Sequence, residues 1–112
     1  PIALSLLLRA AHQGHALMKF NVGIVHLEDC HNATAANDWF KLAFEQDNVV
    51  AVDLGHYYLE RYNLGIDREK SSALSHYWFA TAIAYGHQDQ VLEIFNGDYS
   101  VLNAFQFQGR FH

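Results

Sequence analysis

The sequence of 112 residues predicts an all-α fold built from stacked antiparallel helix pairs, a short α-solenoid. Apolar residues recur at spacings of three and four along most of the chain, which is the period of a helix packed on one side. Polar or glycine-containing segments interrupt this period and mark turns. The stretch around Gly23 also resembles the stretch around Gly55, which indicates that one helical hairpin occurs more than once. We therefore expect five to seven helices in a right-handed superhelix.

The first half of the chain predicts three helices. Pro1, followed by leucines and alanines, is typical of a helix start rather than of a signal peptide, and Gly14 ends that helix. A second apolar helical pattern begins at Ala16. The third covers residues 33–44, with Asn32 among the polar residues expected to form the turn or cap the helix.

The second half predicts two long helices and two short ones. A helix from residue 49 is closed near Gly65. Asp67 is expected to cap the next helix, which Gly86 ends. A short helix covers residues 89–95. Residues 101–105 fit a further helix, whereas Phe105 and Phe107 fit a strand, and we expect a short helix followed by an irregular end.

Gly23 and Gly55 fall inside predicted helices, where glycine costs roughly 1 kcal/mol relative to alanine. We expect their missing side chains to let a facing helix approach closely, with Ala36 and Ala73, 37 residues apart, serving that helix. Because one hairpin cannot bury its apolar face alone, successive hairpins should stack. Large aromatic side chains are expected between them: Trp39, Phe40, Tyr57, Tyr58 and Tyr77.

The segment from Ala10 to Gly23 resembles the first helix of the Sel-one-like repeat family. Four other features of that family have counterparts further along the chain. Its glycine-hydrophobic turn resembles Gly65-Ile66, its acidic position Glu69, its alanine Ala73 and its aromatic pair His76-Tyr77. The resemblance covers residues 3–95. Compared with the family pattern, the first repeat is shorter by about three residues and the stretch before Gly86 is longer by about two.

Membership of this family implies a tetratricopeptide-like solenoid that binds another protein or peptide as an adaptor, assembly factor or inhibitor. The chain would form a single helical-repeat domain over residues 1–112. Its parts would be a half repeat (1–13), two repeats (14–45 and 46–85), and a partial repeat with the tail (86–112).

In solenoids of this kind the first helix of each pair lines a concave face. The positions implied here as binding residues are Leu17, Phe20, Ile24, Leu27 and Glu28, and Val49, Val52, His56, Leu59 and Glu60. The alternative is that the helical register is off by one residue and that these side chains belong to the core. The groove is expected to hold either a partner segment or the protein's own tail, through Phe105, Phe107 and Phe111.

Charge and composition narrow the classes of partner. Twelve acidic and seven basic residues give a net charge of −5, so no basic surface for nucleic acid is expected. No apolar run approaches the ~20 residues of a membrane span. A homodimer is a further candidate assembly, and the sequence leaves the compartment open.

The eight histidines raise the alternative of a metal-dependent hydrolase. His12 with His15, or His26 with Asp29 or His31, has about the spacing of one helical turn, and His56 could add a further ligand. Turn positions and aromatic repeat positions account for most of these residues, and Cys30 beside His31 has no further catalytic group at hand. We therefore predict no catalytic residue, metal or cofactor.

Overall fold

A computed structural model describes residues 15–109 of the chain, and the side chains as far as Phe105. The predicted helix at the N-terminus, His12, the side chain of Phe107, and Phe111 lie outside this description. The described residues form helices and contain no strand, which confirms the all-α prediction. The helices are α1 (His15–Glu28), α2 (Ala33–Gln46), α3 (Val50–Asn63), α4 (Arg68–Ala84), α5 (Gln88–Ile94) and α6 (Ser100–Gly109).

The chain divides into two compact units, residues 1–50 and 51–112. In the described part of the first unit, α1 and α2 pack against each other as a hairpin. In the second unit α3 and α4 form a hairpin, joined by the hydrogen bond from Ser75 Oγ to the Gly55 carbonyl, and α5 and α6 pack on α4. No helix in the described part of the chain is long and apolar enough to cross a membrane.

Polar side chains begin α2 and α3, and a left-handed residue precedes α4. The Asn32 side chain accepts a hydrogen bond from the backbone N–H of Ala35 at 3.0 Å, as an N-cap does. Asp47 Oδ1 accepts from the backbone N–H of Val49 at 3.2 Å, just before α3. The prediction that the Asp67 side chain caps α4 is wrong: Asp67 stands at the N-cap position with a φ of 43°, but its side chain makes no capping hydrogen bond.

The two helical glycines bring the helices of each hairpin together, as predicted. A Cβ atom on Gly23 would stand 2.4 Å from Cε1 of Phe40, and one on Gly55 would stand 2.6 Å from Cδ1 of Phe79. Real Cβ contacts are essentially never that short. Ala36 takes its expected place in the first hairpin, because its carbonyl oxygen would lie 3.2 Å from a Cβ atom on Gly23. A hydrogen atom is thus the largest side chain that either position accepts without rearrangement.

The second hairpin corrects two residue assignments. Ala73 and Tyr77 were expected to face α3 and to fill the space between hairpins, but both are exposed, Tyr77 by 54%. Ser75 and Phe79 face Gly55 instead. The correct offset between the second helices is therefore 39 residues, since Phe79 corresponds to Phe40.

A repeated motif in the sequence carries this offset. Trp39-Phe40 is followed three residues later by Ala43, and Trp78-Phe79 is followed in the same way by Ala82. Phe40, Phe79 and both alanines are buried. The shared Trp-Phe-x-x-Ala pattern is the signal that the alignment at 37 residues missed.

The second hairpin is longer than the first by about one turn in each helix. α1 continues for five residues beyond Gly23, whereas α3 continues for eight beyond Gly55. α2 begins seven residues before Phe40, whereas α4 begins eleven before Phe79. Three and four residues are each close to the 3.6 of a helical turn, so both helices keep the same face toward each other. Residues 29–32 and 64–67 connect the helices over equal lengths.

Candidate functional site

Four of the ten predicted binding residues belong to the core. Leu17 and Phe20 are 0% exposed, and Val52 and Val49 are exposed by 2% and 9%. Phe20 points into the first hairpin, where its ring centroid lies 5.6 Å from that of Phe40. Placing these four side chains on an open binding face was therefore wrong, because they belong to the core.

α1 instead exposes a different apolar face. Met18, Val22 and Val25 are exposed by 58%, 37% and 50%. Their spacing of four and three residues places them on one side of the helix, and we call this set the α1 stripe. Because α1 also buries Ala16, Leu17 and Phe20, it is apolar on two sides. The sequence contained this signal, since apolar residues of α1 occur at more positions than one packed face requires.

The equivalent positions of α3 are buried. Counting 32 residues on from the α1 stripe gives Val50, Leu54 and Tyr57, which are exposed by 0%, 0% and 4%. In both glycine-containing helices, α1 and α3, the glycine contacts the following helix. The two helices differ in whether their second apolar face is exposed. Exposed apolar surface of this kind occurs on α1 and not on α3.

The six other predicted binding residues keep some surface. Ile24 and Leu27 of α1 are half-buried and Glu28 is exposed, whereas His56, Leu59 and Glu60 of α3 are all half-buried. Each set follows its glycine within five residues and ends in Leu-Glu. These six residues remain a prediction for binding.

His56 and Glu60 form a pair on successive turns of α3. His56 Nε2 lies 3.5 Å from Glu60 Oε1, and the two side chains are 34% and 46% exposed. Ion pairs with that much exposure contribute little to stability. The imidazole of His56 and the carboxylate of Glu60 can form hydrogen bonds with another molecule.

The neighbouring Arg61 is occupied within its own unit. Its Nη1 donates to the Tyr57 hydroxyl at 3.3 Å, and its Nη2 lies 3.6 Å from the Asp67 carboxylate. Burial raises the pKa of Tyr58 to about 12, an effect that the positive charge of Arg61 partly offsets. This cluster holds the end of α3 and leaves little of Arg61 to a partner.

Two histidines contact aromatic rings instead of other metal-binding groups. His26 stacks on Trp39 with centroids 6.5 Å apart and planes 12° apart. His76 meets the ring of Phe105 edge-on at 4.8 Å. Among the described residues no three or more histidine, cysteine or acidic side chains are grouped to hold a metal ion. His15, His56 and the exposed Cys30 therefore join no such group there.

The described part of the tail packs on α4. The Phe105 ring lies 5.3 Å from Phe79 and 5.8 Å from Phe95, centroid to centroid. Phe95 in turn lies 5.2 Å from Phe79. We call Phe79, Phe95 and Phe105 the phenylalanine cluster. The tail thus contributes to the core of the second unit through Phe105.

No family model, curated protein or solved structure matches this chain. The resemblance to Sel-one-like repeats therefore stays a prediction based on the quoted residues.

Proposed function

We propose that this protein is a non-catalytic protein-binding module that captures a partner segment through the first helices of its hairpins. The α1 stripe is the observation that carries the proposal. In a Sel-one-like arrangement these helices would line the concave face of the stacked repeats. The role would then be that of an adaptor, an assembly factor or an inhibitor.

The first hairpin does not use the α1 stripe for its own packing. Its internal contact is made by Phe20, Gly23 and Phe40, on another side of α1. Contiguous exposed apolar surface on a soluble domain often marks an interaction site. Fully burying one aliphatic side chain or methionine contributes roughly 1.5–3 kcal/mol. Because the three side chains are exposed by 37–58%, covering what remains of them can contribute roughly 2–4 kcal/mol in all.

Acidic groups near the stripe define the chemistry of the partner. Glu28 and Asp29 are exposed just beyond Val25, and the chain as a whole carries a net charge of −5. The complementary segment is an amphipathic helix whose apolar side chains are flanked by lysine or arginine. On α3, His56 and Glu60 would supply polar contacts to a partner.

The test compares charge substitutions on two exposed apolar surfaces. Met18→Glu with Val25→Glu alters the α1 stripe, and Leu42→Glu on α2 is the matched control, because Leu42 is 45% exposed. A partner is first isolated with the wild-type chain and then purified for titration calorimetry. We expect the double variant to weaken its binding by about 100-fold or more, and the control to change it by less than about threefold.

Circular dichroism establishes that each variant is folded before binding is measured. Equal loss of binding in the control variant, or unchanged binding in the double variant, would refute the proposal. Sedimentation velocity distinguishes a homodimer from a foreign partner. Concentration-dependent self-association that disappears in the double variant would identify a second copy as the partner.

A further inference from the structure

The connection between α5 and α6 contains an asparagine followed by glycine. Asn96 and Gly97 are both exposed, with φ angles of 57° and 79°. Among the described residues nothing lies within 4 Å of the point where a Gly97 Cβ would stand. Because glycine has no Cβ, no side chain of residue 97 stands between its backbone nitrogen and the side chain of Asn96.

We propose that Asn96 is a deamidation site that the folded end of α5 keeps inactive, and that its conversion to isoaspartate loosens α6. The Gly97 backbone nitrogen loses its proton and attacks Cγ of Asn96. The bond from Cγ to Nδ2 breaks, ammonia leaves, and a five-membered succinimide ring remains. Water then opens the ring at one carbonyl to give aspartate, or at the other to give isoaspartate.

The hydrogen bonds at the end of α5 oppose the first step. The Gly97 N–H donates to the Leu92 carbonyl at 2.8 Å, and the Asp98 N–H donates to the Phe95 carbonyl at 3.1 Å. Bonds that run back from a left-handed residue in this way satisfy the last carbonyls of a helix. While the Gly97 bond is formed, its nitrogen cannot turn toward Cγ of Asn96. The rate should therefore follow the fraction of time for which the last turn of α5 is open.

The residues on either side connect this site to the packing of α6. Phe95 directly precedes Asn96 and belongs to the phenylalanine cluster. On the other side, Asp98 Oδ1 accepts hydrogen bonds from Ser100 N at 3.0 Å and Ser100 Oγ at 2.7 Å, which lowers the Asp98 pKa. Isoaspartate adds a carbon atom to the main chain between these two anchors. The lengthened main chain cannot keep both Phe95 and the hydrogen bonds of Asp98 in place. Because Phe95 contacts Phe105, the contacts that hold α6 should weaken.

Mass spectrometry of the full chain during incubation at mildly alkaline pH tests the inference. We expect residue 96 to deamidate at least about tenfold more slowly in the native protein than in the urea-unfolded chain. Leu92→Ala should accelerate the reaction at least about fivefold, because it loosens α5. Leu42→Ala, on the exposed side of α2, should leave the rate unchanged. Equal rates in the native and unfolded chains would overturn the proposal, as would no response to Leu92→Ala.

Two further measurements cover the remaining outcomes. If Leu92→Ala does not fold, the wild-type rate in urea below the unfolding transition replaces it, and we expect that rate to rise before global unfolding begins. The isoaspartate form is then separated by ion exchange. Hydrogen exchange in α6 should be at least about threefold faster in this form than in the unmodified protein. Unchanged exchange would show that the modification does not reach α6.

Discussion

Both hairpins press a glycine of their first helix against a phenylalanine of their second, but the two phenylalanines are surrounded differently. Phe40 packs against Phe20, which comes from the same helix as its glycine. Phe79 packs against Phe95 and Phe105, which come from the segments that follow α4. The comparison shows that one contact defines the hairpin while the rings around it can be supplied from elsewhere in the chain.

The largest loss of stability is expected from removing each phenylalanine. Phe79→Ala should lower the free energy of unfolding by about 4 kcal/mol and Phe40→Ala by about 3 kcal/mol, because Phe79 also holds the rings of Phe95 and Phe105 from the segments that follow α4. Urea denaturation measures both. Tyr77→Ala, at an exposed position of α4, should cost less than about 1 kcal/mol. A greater loss for Phe40→Ala would reverse the ranking of the two hairpins.

Alkaline pH should affect the second hairpin through Tyr58. Its pKa is raised from 10.0 to about 12, so the folded state retains a proton that the unfolded state loses. The stabilisation is complete below pH 10 and is lost as pH rises toward 12, to a limit of roughly 3 kcal/mol. The corresponding residue of the first hairpin is His26, which has no phenol group.

The measurement is the difference in unfolding free energy between wild type and Tyr58→Phe from pH 9 to pH 12. This difference removes the contribution of the other tyrosines. The wild type should lose more stability than the variant over that interval. Parallel curves would contradict the raised pKa of Tyr58.

Adding a methyl group at each glycine compares the tightness of the two contacts. Gly55→Ala should destabilise by about 2 kcal/mol and Gly23→Ala by about 1 kcal/mol, after the gain in helix propensity. A Cβ on Gly55 would stand 2.8 Å from Cγ of Phe79, and that end of the ring cannot swing away. Phe79→Leu in the Gly55→Ala background should recover part of the loss. Stabilisation by either alanine would contradict the close approach.

The smallest effect concerns a hydrogen bond of the second hairpin. Ser75 Oγ donates to the buried carbonyl of Gly55 at 2.8 Å, whereas the first hairpin has Ala36 at the equivalent position. Ser75→Ala should cost about 1 kcal/mol, and the exposed Ser72→Ala should cost less than about 0.5 kcal/mol. Thermal unfolding monitored by circular dichroism compares them. If Ser75→Ala and Ser72→Ala lowered the stability equally, the hydrogen bond from Ser75 would not add stability to the second hairpin.

Helix periodicity, together with the glycines at 23 and 55, was enough to predict the fold class and the tight contact within each hairpin. These features depend on local spacing and on one steric requirement. The partner of Gly55 was misassigned because the alignment at 37 residues, based on an alanine and an aromatic pair, overlooked the Trp-Phe-x-x-Ala pattern at 39. The spacing from Gly55 to Phe79 is seven residues longer than that from Gly23 to Phe40, so the offset of the first helices does not carry over to the second helices.

The candidate site was harder to predict than the fold. Leu17 and Met18 are adjacent and both apolar, yet the first is buried and the second is exposed by 58%. On a helix that is apolar on two sides, periodicity identifies both faces without showing which one is covered. Choosing between them needs the position of Phe40, which lies on another helix.

The seven additional residues have a mechanical consequence. They are divided so that both helices of the second hairpin extend beyond the glycine contact by nearly one turn, about 5.4 Å. The tip that results carries Leu64 and Ile66, exposed by 72% and 40%. A hairpin of this kind can therefore be lengthened or shortened by one turn in each helix while the contact between glycine and phenylalanine stays in register. The length of the hairpin and the packing of its interior can vary independently.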